Sequence, residues 1–515
     1  MESIISNFIM VLVLIQLFAY ISNLLTNSLA ELLWKFINKK DLEQNSSPRN
    51  KKLNDVSIRD AVEMFLSGKK DYVQIYGEIE NWDTSEVSNM AFLFFGADEF
   101  NANIESWDVS NVRNMESMFS GCKSFNQPLG KWNTSNLTNM RTQFADCDSF
   151  NQPLGDWDVS NVVDMIGTFK FCRNFNQSLG NWNVQSVKSM NAMFMGCENF
   201  NQPLGNWNVS NVNDMTRMFD GCTQFNQSIN NWNVQNVTHM SCMFSACENF
   251  NQELGSWDVR NVICMNCTFA GCYNFDKPLS SWDVSAVENM AFTFASCKNF
   301  NQPLDSWNVS NVNDMSSMFA YCEKFNQNIN SWNTTFVSDM NKMFSHCYAF
   351  NKPLDLWNVS RVKNMNSMFN RCEKFNQPLN SWNVCNVTDM GSMFENCVKF
   401  SQPLYSWNVY NVKNMRAMFR GCKNFNQNIN MMFLNCSKFN PKTDSLILPE
   451  NVYNAGMYDG CYCTKSKKSS KSYESDESDE SNESDESDES NESDESDESD
   501  ESDESDESDD LDKIK

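Results

Sequence analysis

Histidine is almost missing from this chain: His239 and His346 are the only two in 515 residues. They fall at different places of the repeating unit described below, so they cannot form a recurrent site. Each lies beside apolar residues at helical spacing and reads as surface or helix filler. Also missing are a nucleophile elbow, a phosphate-binding glycine loop, a His-Glu metal motif and an isolated pair of acids. These absences point to a non-enzymatic chain with no cofactor and no catalytic or metal residues. The glycine-rich aspartate motif of calcium-binding solenoids is absent as well. Positions 474–512 hold no basic residue but 24 acidic ones, set mainly among Ser. Without residues 464–515 the chain has 42 acidic against 34 basic residues, about −8 of the total −26. The acidity therefore belongs mostly to one tail and argues against nucleic-acid binding.

Charge is absent from residues 3–30, and residues 4–18 are almost continuously apolar. A helix of about 20 apolar residues spans a bilayer, so residues 1–40 read as an apolar anchor or a signal. Asn7, Gln16, Asn23 and Asn27 also leave a surface-lying helix open. No basic start precedes the segment and no Cys lies near it for lipidation; Lys35, Lys39, Lys40, Arg49, Lys51 and Lys52 follow it. The expected localisation is membrane-associated (host membrane, cell surface or virion), with the side of the membrane open.

What is present in abundance is a period. From Trp82 to Trp407 a tryptophan recurs every 25 residues, inside nearly constant surroundings. Such a unit cannot bury its apolar side chains alone and must stack on its neighbours. In one copy Val112, Met115, Phe119 and Cys122, with Met118, follow steps of three, four and seven, which predicts a short helix. Gly121, and Gly196, Gly221, Gly271 and Gly421 at the same place, read as loosened helix ends. Phe125 turns inward, Pro128 breaks the helix, and Leu129, Trp132 and Thr134 read as an extended piece. The expected structural core of the repeat is Trp107, Val112, Met115, Phe119, Cys122, Phe125, Leu129, Trp132, Met140, Phe144 and Cys147.

The expected fold is an α/β solenoid: a leucine-rich-repeat-like right-handed stack with one short strand and one short helix per 25-residue coil. Residues 41–77 form a linker and N-terminal cap, with a helix over 56–66 and a first strand over 72–77. Residues 78–440 are the tandem repeats, residues 441–463 a C-terminal cap, and residues 464–515 a disordered Ser/Asp/Glu tail. Thirteen Cys, from Cys122 to Cys422, share one repeat position and read as a buried column of free thiols, with a disulfide ladder as the alternative. Cys242, Cys264, Cys267 and Cys385 lie off that column. The Cys264/Cys267 and Cys461/Cys463 pairs are weak signals for zinc or redox chemistry. The Asn after each Phe (Asn126, Asn151, Asn176, Asn201) reads as a column that satisfies local turns, and Asp276 and Ser401 replace it.

Phe-Asn-Gln-Pro-Leu, then Trp107-Asp108-Val109-Ser110-Asn111-Val112, then Met115, Met118, Phe119 and Cys122, resembles the BspA-type leucine-rich-repeat surface proteins. The same 25-residue unit occurs in mycoplasma lipoproteins and giant-virus proteins. The resemblance covers about residues 78–440 and implies a surface adhesion or host-interaction protein.

Differences between copies fall at outer positions: Arg113, Val163, Lys188 and Asn213 in one row, Lys131, Asp156 and Asn181 in another. A rigid frame carrying a changing row of side chains suits a protein-interaction or adhesion scaffold, displayed on a cell or giant-virus particle. The partner would be an unknown protein or cell-surface ligand, with membrane contact through the N-terminal segment. The alternative is an intracellular structural repeat protein with no dedicated ligand.

Overall fold

The computed structural model describes residues 52–69 and 71–427. The expected segments 1–40, 441–463 and 464–515 lie outside the described residues, as do the first part of 41–77, the end of 78–440, and Cys461 and Cys463.

Each 25-residue coil is a chain of tight turns. In the second coil Val112 N–H donates to Val109 O at 2.9 Å, Met118 to Met115 at 3.1 Å, Ser120 to Ser117 at 3.2 Å, Cys122 to Phe119 at 2.8 Å and Phe125 to Cys122 at 3.0 Å. Ser117 (φ 51°) and Gly121 (φ 82°) sit third in two of these turns, where a type II turn requires a left-handed residue. Between them, alternate amides leave the coil: Met115, Ser117, Phe119 and Gly121 donate to the carbonyls of Asn139, Arg141, Gln143 and Ala145 at 2.8–2.9 Å. Half of the polar backbone here is thus satisfied only by the next coil, so no coil is complete alone.

The α/β solenoid expectation is corrected on this point. Among the described residues there is no β-strand or sheet, only isolated parallel bridges running Asn89↔Asn114, Asn114↔Asn139 and onward to Asp389↔Asn414. Among the described residues no α-helix lies within the repeats, and a leucine-rich-repeat-like coil of one strand and one helix does not form there. The cause is degeneracy of spacing. Successive four-residue turns bring residues 115, 118, 119 and 122 inward at the same steps as one face of a helix.

The described helices lie before the first coil: α1 at Ser57–Leu66, α2 at Tyr72–Tyr76, and a 3-10 turn at Ile79–Asn81. The strand expected over 72–77 is therefore also corrected, since α2 occupies it. Asn54 Oδ1 accepts the amides of Val56 (3.1 Å) and Ser57 (3.0 Å) and starts α1. Ile58, Ala61 and Val62 are buried, and Phe65 meets Phe100 edge-on at 6.1 Å. Asp55 Oδ1 accepts Ser88 N–H at 2.7 Å and Asn89 N–H at 2.9 Å. Two coils later, Arg113 O receives the equivalent pair from Thr138 and Asn139, so the carboxylate stands in for a carbonyl of a missing preceding coil. Arg59 Nη1 likewise serves the open carbonyl of Ala91 at 2.8 Å.

Membrane association is corrected too. Among the described residues no helix is long and apolar enough to cross a membrane. The longest, α1, has 10 residues, about 15 Å at 1.5 Å per residue against a hydrocarbon core of about 30 Å. The apolar segment that raised the expectation lies outside the described residues.

The interior is a set of columns. Phe119, Phe144, Phe169 and Phe194 stack face to face at 5.5–5.6 Å, and the Phe125, Phe150 and Phe175 rings form a second column at 5.8–6.0 Å. Tryptophans form a third, with Trp132 and Trp157 at 6.0 Å. Rings offset along such a column gain contact energy beyond the area they bury.

Candidate binding surface

Trp107, Val112, Met115, Phe119, Cys122, Phe125, Leu129, Trp132, Met140, Phe144 and Cys147 are all buried in one core cluster. Their polar atoms are committed between coils. Trp132 Nε1–H donates to Ile104 O at 3.2 Å and Trp157 Nε1–H to Leu129 O at 3.0 Å. Cys122 Sγ–H donates to Phe94 O and Cys147 Sγ–H to Phe119 O, each at 3.0 Å. Burial pushes the Cys122 and Cys422 thiols up to about 12. Among the described residues the tryptophan side chains are buried, with no face free to stack a sugar or base.

The Asn column is also spent between coils, not on local turns. Asn101 Oδ1 accepts Asn126 N–H at 3.0 Å and Gln127 Nε2–H at 3.1 Å, and Asn126 Oδ1 accepts Asn151 N–H at 3.0 Å. Asp276 keeps the role, accepting Asn301 N–H at 2.9 Å. The acid or amide after Trp does serve a local turn: Asp158 Oδ1 accepts Ser160 N–H at 3.0 Å. Bonds from the Ser160 side chain and amide hold that carboxyl below its ordinary value, against a smaller effect of burial.

The histidines stay apart. His239 Nδ1 pairs with Thr238 Oγ1, and His346 stacks on Tyr321 at 4.1 Å. Among the described residues no group of three or more His, Cys, Asp or Glu is placed to hold a metal.

The outer rows carry the side chains that face solvent and vary from coil to coil. Between Val112 and Met115 the row Arg113, Thr138, Val163, Lys188 continues to Ser338, Lys363, Thr388 and Lys413. Two residues earlier runs a ladder of amides, such as Asn386 Nδ2–H to Ser360 O and Asn411 Nδ2–H to Cys385 O, both 2.7 Å. Phe336 and Arg361 interrupt that ladder. The Phe336 ring is exposed, and the Arg361 guanidinium lies over it at 4.6 Å. An open depression of about 700 Å³ results, lined by Phe336, Arg361, Asn386 and Asn411 on one side and Ser338, Lys363, Thr388 and Lys413 on the other. Its wall contains three cations and no acid. Among the described residues none of Arg361, Lys363 and Lys413 is in a salt bridge. A smaller depression of about 400 Å³ includes Glu105 and Lys131, which neutralise each other at 2.9 Å.

The row containing Lys363 and Lys413 continues the variable row read from Arg113 to Asn213. Phe336 and Arg361 were missed by that reading. Their signal is in the sequence, because they replace the amide that stands there as Asn111, Asn136, Asn386 and Asn411.

A family model described as a Mycoplasma protein of unknown function, DUF285, matches residues 59–179, 138–257, 164–281, 244–356 and 323–432. No curated protein matches the chain.

Proposed function

We propose that this chain, which belongs to the DUF285 family, is a non-enzymatic scaffold that binds an acidic polypeptide segment of a partner protein. The observation that carries this reading is the cationic depression around Lys363. Arg361, Lys363 and Lys413 face solvent beside an exposed ring, on a frame whose other polar groups are largely paired within the stack. Unneutralised cations around a shallow trough favour carboxylates, and the Phe336 ring supplies an apolar contact beside them. The interior columns of Trp, Phe, Met and Cys are structural in this reading and hold no repeated ligand. The resemblance to BspA-type interaction proteins supports the same role.

The test is fluorescence anisotropy with a labelled Asp/Glu-rich peptide. Lys363→Glu with Lys413→Glu should abolish binding, while Lys188→Glu, on the same row but outside the depression, should leave it intact. Affinity should fall as salt rises from 50 to 500 mM, because exposed charges are screened. Equal binding by the parent and the double variant, or none by either, would remove the proposal. The second outcome would favour a structural repeat protein without a ligand. Removal of residues 474–512 should tighten binding if the chain's own acids compete for the trough.

A further inference from the structure

We propose that Cys242 and Cys267 form a redox-modification site, a reversible cross-link between adjacent coils made by exchange with a low-molecular-weight disulfide. Both occupy the repeat position of Ser117, Thr142, Gly167 and Arg217, the first left-handed residue of the coil, with φ 56° and 57°. Side chains at this position run along the stack and meet: Ser117 Oγ lies 2.7 Å from Thr142 Oγ1. A Cβ on Gly167 would lie 3.0 Å from Thr142 Cγ2. At the coil's other left-handed position, a Cβ on Gly271 would lie 3.9 Å from Ala246 Cβ. A disulfide needs a Cβ–Cβ separation of about 3.5–4.5 Å, so stacked left-handed residues are pre-spaced for one. Cys242 N–H donates to Asn266 O at 2.9 Å, which fixes the register beside Cys267.

The two thiols also differ from the column thiols in access and activation. The thirteen column thiols are buried, whereas Cys242 and Cys267 are half-buried. The neighbouring Cys267 side chain holds the Cys242 ionisation below the ordinary thiol range; burial and Asp220 oppose this, while Arg217, one coil back, adds to it. Cys267 is pushed upward by its Cys242 neighbour. A low-lying attacking thiol with a resolving thiol at the equivalent position of the next coil is the arrangement exchange chemistry requires. Cys264 is held elsewhere, donating to Asn266 Oδ1 at 3.1 Å and accepting Ser241 Oγ–H at 3.1 Å.

In the reaction the Cys242 thiolate attacks one sulfur of the small disulfide. That S–S bond breaks, one small thiolate leaves, and a mixed disulfide forms on Cys242. The departing thiolate takes the Cys267 proton. The Cys267 thiolate then attacks the Cys242 sulfur and expels the second small thiolate, which takes a proton from water. The protein pair loses two electrons and the small disulfide gains them. The chain described here is the reduced form.

The experiment treats the native full chain with oxidised glutathione, followed by non-reducing digestion and mass spectrometry. The parent should show a Cys242–Cys267 cross-linked peptide, two hydrogens lighter, that disappears on adding reduced glutathione. Cys267→Ser should instead trap a glutathione adduct on Cys242, and Cys242→Ser should slow adduct formation at 267 at least tenfold. Serine occupies this position natively at Ser317, Ser367 and Ser392, so both variants fit the fold. A cross-link involving Cys264 or the column thiols, adducts on Cys385 as fast as on Cys242, or no cross-link in the parent would overturn the proposal.

Discussion

Gly221→Ala separates a coil of turns from a coil whose helix continues through residue 221, because the two respond with opposite sign. Gly221 has φ 78°. An L-residue in that region costs about 1–2 kcal/mol. Space is not the difficulty: an added Cβ would meet Gly196 Cα at 3.4 Å and Gly196 N at 3.5 Å, ordinary contact distances. Alanine's stiffer unfolded chain returns about 0.4–1 kcal/mol, leaving a net loss of about 1 kcal/mol. Inside a helix the same change would gain about 1 kcal/mol. Equilibrium denaturation in urea reads the difference as a shift of the midpoint. Gly196→Ala sharpens the comparison, since its added Cβ would collide with the Phe171 ring and should lose more. A stabilised Gly221→Ala would refute the left-handed turn and the fold built on it.

Four other outcomes follow from the same geometry. Phe169→Ala empties a site packed between Phe144 and Phe194, each at 5.6 Å, and should cost about 3–5 kcal/mol in urea denaturation. Asn201→Ala removes the acceptor of Asn226 N–H and Gln227 Nε2–H, both at 3.0 Å from Asn201 Oδ1, at an edge water can reach, and should cost about 0.5–1.5 kcal/mol; Asn201→Asp, which keeps the acceptor, should cost less. For Asp55, burial raises the carboxyl, but the bonds from Ser88 and Asn89 outweigh it and hold the group below its ordinary value. Its stabilisation is therefore complete above about pH 4 and is lost as pH falls through the lower folded value. Thermal scans should show the gap between the parent and Asp55→Ala narrowing in acid. The buried thiols of Cys122 and Cys422, raised to about 12, should resist iodoacetamide at about pH 9 in the native chain and react once it is denatured.

The recurrence of 25 residues is plain in the sequence because burial holds the interior positions nearly constant while outer ones drift. The geometry of the coil is not, for a physical reason. Met115, Met118, Phe119 and Cys122 satisfy a helical period and a series of linked turns equally well, since both bring every third or fourth residue inward. The glycines at 121, 196, 221, 271 and 421 were the available hint. Their place suits a helix end, yet they belong to a turn repeated in every coil, where Asp146, Phe171 and Tyr321 tolerate the same left-handed backbone. Tyr72 to Tyr76 alternates like a strand but has no neighbouring strand to pair with, and closes on itself as α2. The cationic trough was half legible. Lys363 and Lys413 lie on a row whose variation is visible, while the Phe336–Arg361 contact depends on register between coils, which no single repeat reveals.

Scalar couplings across hydrogen bonds, measured by NMR on a deuterated and labelled chain, test the stacking most directly. The amide nitrogen of Phe169 should couple to the carbonyl carbon of Met193, its acceptor at 2.9 Å in the next coil. A coupling to the carbonyl four residues back, at Met165, would mean that the segment is helical and that the coils are not joined in this way.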